Sequence, residues 1–191
     1  YYRNWVIDAY NADMPYHEFL RRQIAGDLLP AKNDSEQAAN LIATQMLTHN
    51  RFEADFVEGA MEVLGQQVLG ISLNCAKCHD HKYDPITHVD YYSFRAIFEP
   101  HQVRLDPMPG ETDFEKDGLP RVFDDNLDIK TFLHIRGDPK NPDKNRTIEP
   151  AVPAILASFA PKITPVKLTP YAFAPATRDY VRRDRTVIIS A

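Results

Sequence analysis

Hydrophobic residues recur at helical spacing only in the first half of the chain. The segment from 2 to 11 carries Trp5 and Tyr10 among polar residues. Pro15 opens a second segment in which apolar residues return every third or fourth position until Pro30. This spacing predicts two amphipathic helices, because one face of a helix repeats about every 3.6 residues.

The same pattern predicts two more helices before residue 75. Asp34 or Ser35 is expected to cap a third helix that runs to about Thr48, since short polar side chains satisfy free amides at helix starts. A fourth runs from about residue 52 to about residue 73 and is expected to lead directly into the next segment. Thus the helical region approaches the cysteines without a predicted break.

The fifth helix and the helical region's end are marked by specific residues. Thr87, followed three positions later by Asp90, is the pattern of a helix-capping pair. Of the 15 prolines, three lie in residues 1–99 and twelve lie between Pro100 and Pro175. Frequent proline is incompatible with long helices.

These patterns predict a mainly α fold in two parts. Residues 1–100 are expected to form a small helical domain. Residues 101–191 are expected to form a Pro-rich, largely irregular connection with a few short strands. That they also contain the start of a second domain is implied only by the family resemblance given below.

The chain's two cysteines form one motif, C-x-x-C-H, at Cys75, Cys78 and His79. This is the attachment signature of c-type haem. Two sulfurs three residues apart on a helical turn reach two neighbouring vinyl groups, and the adjacent imidazole binds the iron from below. The motif therefore predicts covalent haem c on Cys75 and Cys78, with His79 as the proximal iron ligand.

Two other chemistries fit a pair of nearby cysteines. A zinc site would use Cys75, Cys78, His79 and His81, although three ligands within four residues would strain a tetrahedron. A redox dithiol would need a thioredoxin-like strand before it and a helix after it. Both alternatives remain open at this point.

The residues around the iron are less constrained by the sequence. His81 cannot cross the porphyrin from a position two residues after His79. The remaining candidates for the distal ligand are His17, His49, His88, His101, His134, Met46 and Met61. Of these, His49 or Met46 is favoured, because both lie on or just after one predicted helix and could reach a common pocket. Asp84 or a backbone carbonyl is the expected partner of the second imidazole nitrogen of His79.

Composition excludes some classes of partner. The formal net charge of -5 gives no nucleic-acid footprint. No apolar run approaches the roughly 18 residues of a membrane helix, so no membrane span is expected. Since c-type haem is attached outside the cytoplasmic membrane, we expect a fragment of a longer exported bacterial chain, located in the periplasm or outside the cell.

A long run around the motif resembles a known family. It resembles the signature of a planctomycete cytochrome-c-like domain family of unknown function, C-x-x-C-H-D-H-K-x-D-P-I. The residues that carry the resemblance are Asn74 to Ile86 and Asp90-Tyr91-Tyr92, with Arg3 to Asn11, Met14-Pro15-Tyr16 and Gln23 to Asp27 upstream.

The resemblance covers roughly residues 1–100 and has implications for the rest. Arg136 to Pro139 and Glu149 to Leu156 resemble the opening of the partner domain that usually follows in this family. Members look like parts of large exported planctomycete proteins, sometimes joined to carbohydrate-binding modules. The partners implied are a redox protein or a neighbouring haem domain, and a polysaccharide through other domains.

Three functions follow from these predictions. Electron transfer within a larger multidomain protein ranks first and would use a six-coordinate iron near an exposed haem edge. A catalytic haem domain that acts oxidatively on a polysaccharide is the alternative, and it rests on family context alone. A zinc-stapled structural module is the third.

Overall fold

The computed structural model describes residues 1–48, 56–107, 118–124, 128–159, 165–168 and 180–183. Within these residues the α-helices are α1 (Tyr2–Asn11), α2 (Tyr16–Ala25), α3 (Asp34–Ala43), α4 (Phe56–Val63) and α5 (His88–Phe98). Short 3-10 helices extend α2 over Gly26–Leu28 and α3 over Thr44–Thr48.

Most of the helix starts follow the sequence pattern. Pro15 occupies the position before α2, and Thr87 caps α5 through a complete capping box with Asp90. The cap of α3 differs from the prediction, because Asn33 is the residue whose side chain accepts from the backbone amide of Glu36. Asp34 and Ser35 lie inside the first turn instead.

The fourth helix does not run directly into the cysteines, so that prediction was wrong. After α4 the chain continues as a π-helix over Leu64–Leu69 and stops at Gly70, whose φ is 66°. The amide of Ile71 bonds the carbonyl of Gly65 at 2.9 Å, which closes the helix end. A glycine adopts this left-handed conformation without a Cβ clash, and it redirects the chain before the cysteines.

The strands in the described residues pair as three antiparallel ribbons. They are β1 (His101–Pro107) with β2 (Gly118–Asp124), β3 (Thr131–His134) with β4 (Pro142–Ile148), and β5 (Pro165–Leu168) with β6 (Tyr180–Arg183). The register of β3 shifts between Phe132 and Leu133, and a 3-10 turn over Ile135–Gly137 follows β3. We call residues 131–148 the β3–β4 hairpin.

One hydrophobic cluster joins the helices to this hairpin. Tyr91 and Tyr92 of α5 are fully buried at its centre, and Leu133 and Ile148 of the hairpin pack in the same cluster. The amide of Ala151 also bonds a carbonyl of α5. The predicted domain boundary at residue 100 stays a prediction, and the core contacts cross it.

The predicted mainly α fold with a few short strands is confirmed. No helix among the described residues is long and apolar enough to cross a membrane.

Candidate functional site

Cys75 lies in a short 3-10 helix, Leu73–Lys77, and Cys78 is the residue that ends this helix. Cys78 keeps right-handed angles (φ -106°, ψ -27°), so the chain stays close to the helical path up to this residue. Residues three apart eclipse each other in a 3-10 helix, which places Cys75 and Cys78 on one side. Both thiols are free and exposed. We call residues 73–78 the cysteine turn.

The opposite side of the cysteine turn faces the core. Leu73 is 1% exposed and Ala76 is 0% exposed, and both belong to the central cluster. Lys77 places its ammonium 2.7 Å from both carboxylate oxygens of Glu58 on α4. The turn is thus held from the interior while its sulfurs face outward.

His79 lies beyond the 3-10 helix and is exposed. Its Nδ1 is 2.7 Å from the carbonyl oxygen of Asp80. A carbonyl only accepts, so Nδ1 carries the proton and Nε2 keeps the lone pair. Of the two predicted partners of His79, Asp84 or a backbone carbonyl, the structure shows the backbone carbonyl. The resulting tautomer leaves Nε2 free to bind a metal.

Asp84 contacts His81 through its backbone amide. Nδ1 of His81 accepts the backbone amides of Asp84 at 2.8 Å and Tyr83 at 3.2 Å. An accepting Nδ1 carries no proton, so the Asp84 carboxylate 3.5 Å away does not form an ion pair with it in this state. The amide of His81 also bonds the carbonyl of Ile86 at 2.8 Å. We call residues 79–86 the histidine turn.

The histidine turn is joined to the start of α5. Asp80 Oδ1 accepts the amide of His88 at 2.7 Å, and the Thr87 hydroxyl accepts the amide of Asp90 at 3.0 Å. Asp90 Oδ1 also accepts the amide of Ala154 at 2.9 Å. These carboxylates satisfy free amides at the helix start, where negative charge is favourable.

Tyr92 joins the cysteine turn to the hairpin. Its hydroxyl donates to the carbonyl of Lys77 at 3.2 Å and accepts a backbone hydrogen bond from His134. Its ring meets those of His134 and His88 edge to face, with centroids 5.0 and 5.1 Å away. Burial raises the pKa of Tyr92 to about 12, although the Arg95 guanidinium acts in the opposite direction.

The hairpin also contacts the second cysteine directly. A Cβ built on Gly137 would lie 2.5 Å from Cys78 Sγ and 3.2 Å from Lys77 Cγ. Gly137 has φ 72°, and Arg136 before it has φ 57°, so the turn holds two consecutive left-handed residues. The hairpin turn therefore lies on the sulfur of Cys78.

A family model matches residues 1–103, more than half of the chain, and its description is PSCyt2, protein of unknown function (DUF1549). The chain belongs to this family. PSCyt2 is a planctomycete-type domain of unknown function, so the coarser part of the resemblance is confirmed. Neither the curated proteins nor the solved structures gave a match. The site of this PSCyt2 domain therefore has to be interpreted from its own residues.

Of the two candidate distal ligands, His49 and Met46, only Met46 lies within the described residues. Met46 lies in the 3-10 helix after α3 and packs, partly buried, against the central cluster. His49 lies outside the described residues. Met61, a further sulfur considered for this role, is 0% exposed within the core. The assignment of His49 or Met46 stays a prediction.

The residues of the motif fit covalent haem in their donor chemistry. Two exposed thiols share one side of a turn, and the adjacent imidazole has a free Nε2. Two buried polar atoms beside the motif, Asn74 Oδ1 and His88 Nε2, have no hydrogen-bond partner in the structure. Unpartnered buried polar atoms are rare in native proteins, and these two are compatible with a further group bound beside the motif.

The zinc alternative gains no support from the same geometry. The described residues, which include all four members of the predicted quartet, contain no group of three or more His, Cys, Asp or Glu arranged to hold a metal ion. A haem iron needs only one protein ligand besides its macrocycle on the proximal side, so it does not require such a group.

Three residues that support the motif were not predicted from the sequence. Glu58 binds Lys77 from 19 positions away, Tyr92 bonds the carbonyl of Lys77, and Gly137 packs on Cys78. Glycine after arginine in a polar stretch is a turn signal, yet nothing in that signal identifies its contact.

Proposed function

We propose that this PSCyt2 domain is an exported c-type cytochrome domain that carries covalent haem and transfers electrons within a larger multidomain protein. Cys75 and Cys78 are the attachment residues and His79 is the proximal iron ligand. The observation that carries the proposal is a pair of free, exposed thiols on one short turn, followed by an imidazole whose Nδ1 is already bonded.

The thiols perform the attachment chemistry. Each S–H adds across a vinyl C=C bond, so that the sulfur bonds one carbon and the hydrogen ends on the other, with no net oxidation. The inner contacts of the cysteine turn keep Leu73 and Ala76 in the core, so both sulfurs project outward for this addition. When bound, the haem iron supplies one-electron redox chemistry.

The histidine turn orients the iron ligand. The carbonyl of Asp80 accepts a hydrogen bond from the Nδ1–H of His79, which fixes the ring and leaves Nε2 as the nitrogen that can bind the iron. Asp80 is itself fixed because its carboxylate accepts the amide of His88. A ligand held in one orientation lowers the reorganisation that accompanies each electron transfer.

The cellular context belongs to the same proposal. Attachment of haem c outside the cytoplasmic membrane places the protein in the periplasm or outside the cell. Its partner would be a redox protein or a neighbouring haem domain, and a polysaccharide would be reached through other domains of the chain.

Mass and absorption measurements on the native, purified protein test the attachment. The intact mass should exceed the polypeptide mass by one haem, and the pigment should stay with the protein through acid-acetone extraction. A pyridine haemochrome assay should give a c-type spectrum. A colourless protein with stoichiometric zinc would reject the proposal.

Carbon monoxide tests the choice between electron transfer and oxidative catalysis. If His49 or Met46 closes the sixth position, the reduced protein should bind carbon monoxide slowly or not at all. Rapid stoichiometric binding would show an open iron and would favour the catalytic alternative.

A further inference from the structure

The contact between Gly137 and Cys78 joins two distant parts of the chain at the candidate haem site. The two residues are separated by the whole of α5 and the first strands. A Cβ at position 137 would approach Cys78 Sγ to 2.5 Å, closer than real side chains pack. Only glycine leaves room for the sulfur in its observed position, and only glycine adopts φ 72° without strain.

The hairpin that carries Gly137 is fixed independently of this contact. Leu133 and Ile148 pack in the central cluster, and the hydroxyl of Tyr92 accepts a backbone bond from His134. The same hydroxyl donates to the carbonyl of Lys77, the residue before Cys78. The side chain of Tyr92 therefore bonds both the hairpin and the cysteine turn.

The left-handed turn brings the glycine to the sulfur. Arg136 adopts φ 57° although it has a side chain, a conformation that is unfavourable for residues other than glycine. The amide of Asp138 bonds the carbonyl of Ile135 at 3.2 Å, and that of Asn141 bonds Asp138 at 2.9 Å. Local bonds and core packing together hold this turn, so it presents a rigid backbone surface to Cys78.

We propose that the β3–β4 hairpin is a positioning element of the haem-attachment site, with Gly137 as the positioning residue for the Cys78 thiol. The backbone at Gly137 covers one side of the sulfur and leaves its exposed side for the vinyl group. Cys78 Sγ is the atom nearest to the Cβ position of Gly137. We therefore expect the hairpin to affect the Cys78 thioether more than the Cys75 thioether. This inference rests on the proposed function.

The thiols themselves report on this contact. We would measure the iodoacetamide alkylation rates of Cys75 and Cys78 in the reduced, haem-free full-length chain by peptide mass spectrometry. In Gly137→Ala, the added methyl group must displace the sulfur or the hairpin. The ratio of the Cys78 rate to the Cys75 rate should then change at least about fivefold, the effect of about 1 kcal/mol.

The chain offers a matched control in Gly70→Ala. Gly70 has φ 66°, so alanine there meets the same backbone strain, but nothing lies within 4 Å of its Cβ position. The alkylation ratio should stay at the wild-type value in this variant. Tyr92→Phe is a second test variant, because it removes a bond to the hairpin without adding backbone strain. It should also change the ratio of the Cys78 rate to the Cys75 rate, by a smaller factor than Gly137→Ala does.

A second readout follows attachment in cells that assemble c-type cytochromes. Gly137→Ala protein should retain haem on Cys75 alone, leaving Cys78 open to alkylation, whereas Gly70→Ala should leave no free thiol. An unchanged rate ratio in both Gly137→Ala and Tyr92→Phe would overturn the inference. Because the ratio is measured without haem, that result is distinct from a failure of haem attachment, which would overturn the proposed function.

Discussion

The cysteine turn and the histidine turn adjoin each other in the chain, yet contacts of different range hold them. In the cysteine turn the partners of Lys77 come from far away, with Glu58 on α4 and Tyr92 on α5. In the histidine turn the bonds of His79 and His81 stay within five residues.

This difference in the range of their contacts suits the two turns to different roles. Long-range contacts fix where the sulfurs lie relative to the core, and they fail together if the core rearranges. Local bonds fix how the His79 ring is oriented, and they survive small shifts of the core. An attachment site needs sulfurs at fixed positions relative to the core, and an iron ligand needs a fixed ring orientation.

The largest expected effect separates the two histidines within the histidine turn. In the haem-loaded protein, His79→Ala should leave the thioethers in place but change the Soret band and the reduction potential, because the proximal ligand is lost. His81→Ala is the control and should shift the spectrum far less, since His81 acts on the ligand only through the turn, where its Nδ1 accepts backbone amides. Equal spectra for wild type and His79→Ala would show that another residue binds the iron.

The long-range contacts are tested next by Tyr92→Phe. Removing the hydroxyl takes away the donor to the carbonyl of Lys77 and the acceptor of the backbone hydrogen bond from His134. The free energy of unfolding should therefore fall by about 1–3 kcal/mol. Urea unfolding measures this change. Tyr83→Phe is the matched control, because the Tyr83 side chain is 81% exposed, and an equal loss there would contradict the assigned contact.

A smaller effect is expected where the histidine turn meets α5. Thr87→Ala removes the cap that accepts the amide of Asp90, which should lower the free energy of unfolding by about 1 kcal/mol. Asp90→Ala should cost more, because Oδ1 of Asp90 also accepts the amide of Ala154. Equal losses in thermal unfolding of the two variants would show that the Ala154 bond contributes nothing.

The last effect is a pH dependence of the stability that Tyr92 contributes. The pKa of Tyr92 lies at about 12, above its ordinary value of 10.0, so the folded state keeps the proton after the unfolded chain loses it. Stability from this group is complete below pH 10 and falls as the pH rises from about 10 to 12. Urea midpoints across this range should fall less steeply in Tyr92→Phe than in wild type. If the urea midpoints fall equally steeply with pH in both proteins, groups other than Tyr92 cause the pH dependence.

Local features of this protein were predictable because their partners are close in sequence. The spacing of apolar residues predicted α1 at Tyr2–Asn11, and Thr87 with Asp90 predicted the start of α5. The spacing of Cys75 and Cys78 on one turn needed no distant contact. Even here one neighbouring choice failed, since Asn33 rather than Asp34 or Ser35 accepts the amide at the start of α3.

What the sequence by itself determined was therefore the helices, the mainly α class and the identity of the candidate donors. The tertiary structure alone decided that Tyr92 bonds the carbonyl of Lys77 and that Gly137 meets Cys78. The physical reason is range. Helix periodicity and capping depend on residues within about four positions. Contacts across 15 or more positions depend on how the whole core packs, and no local pattern encodes them.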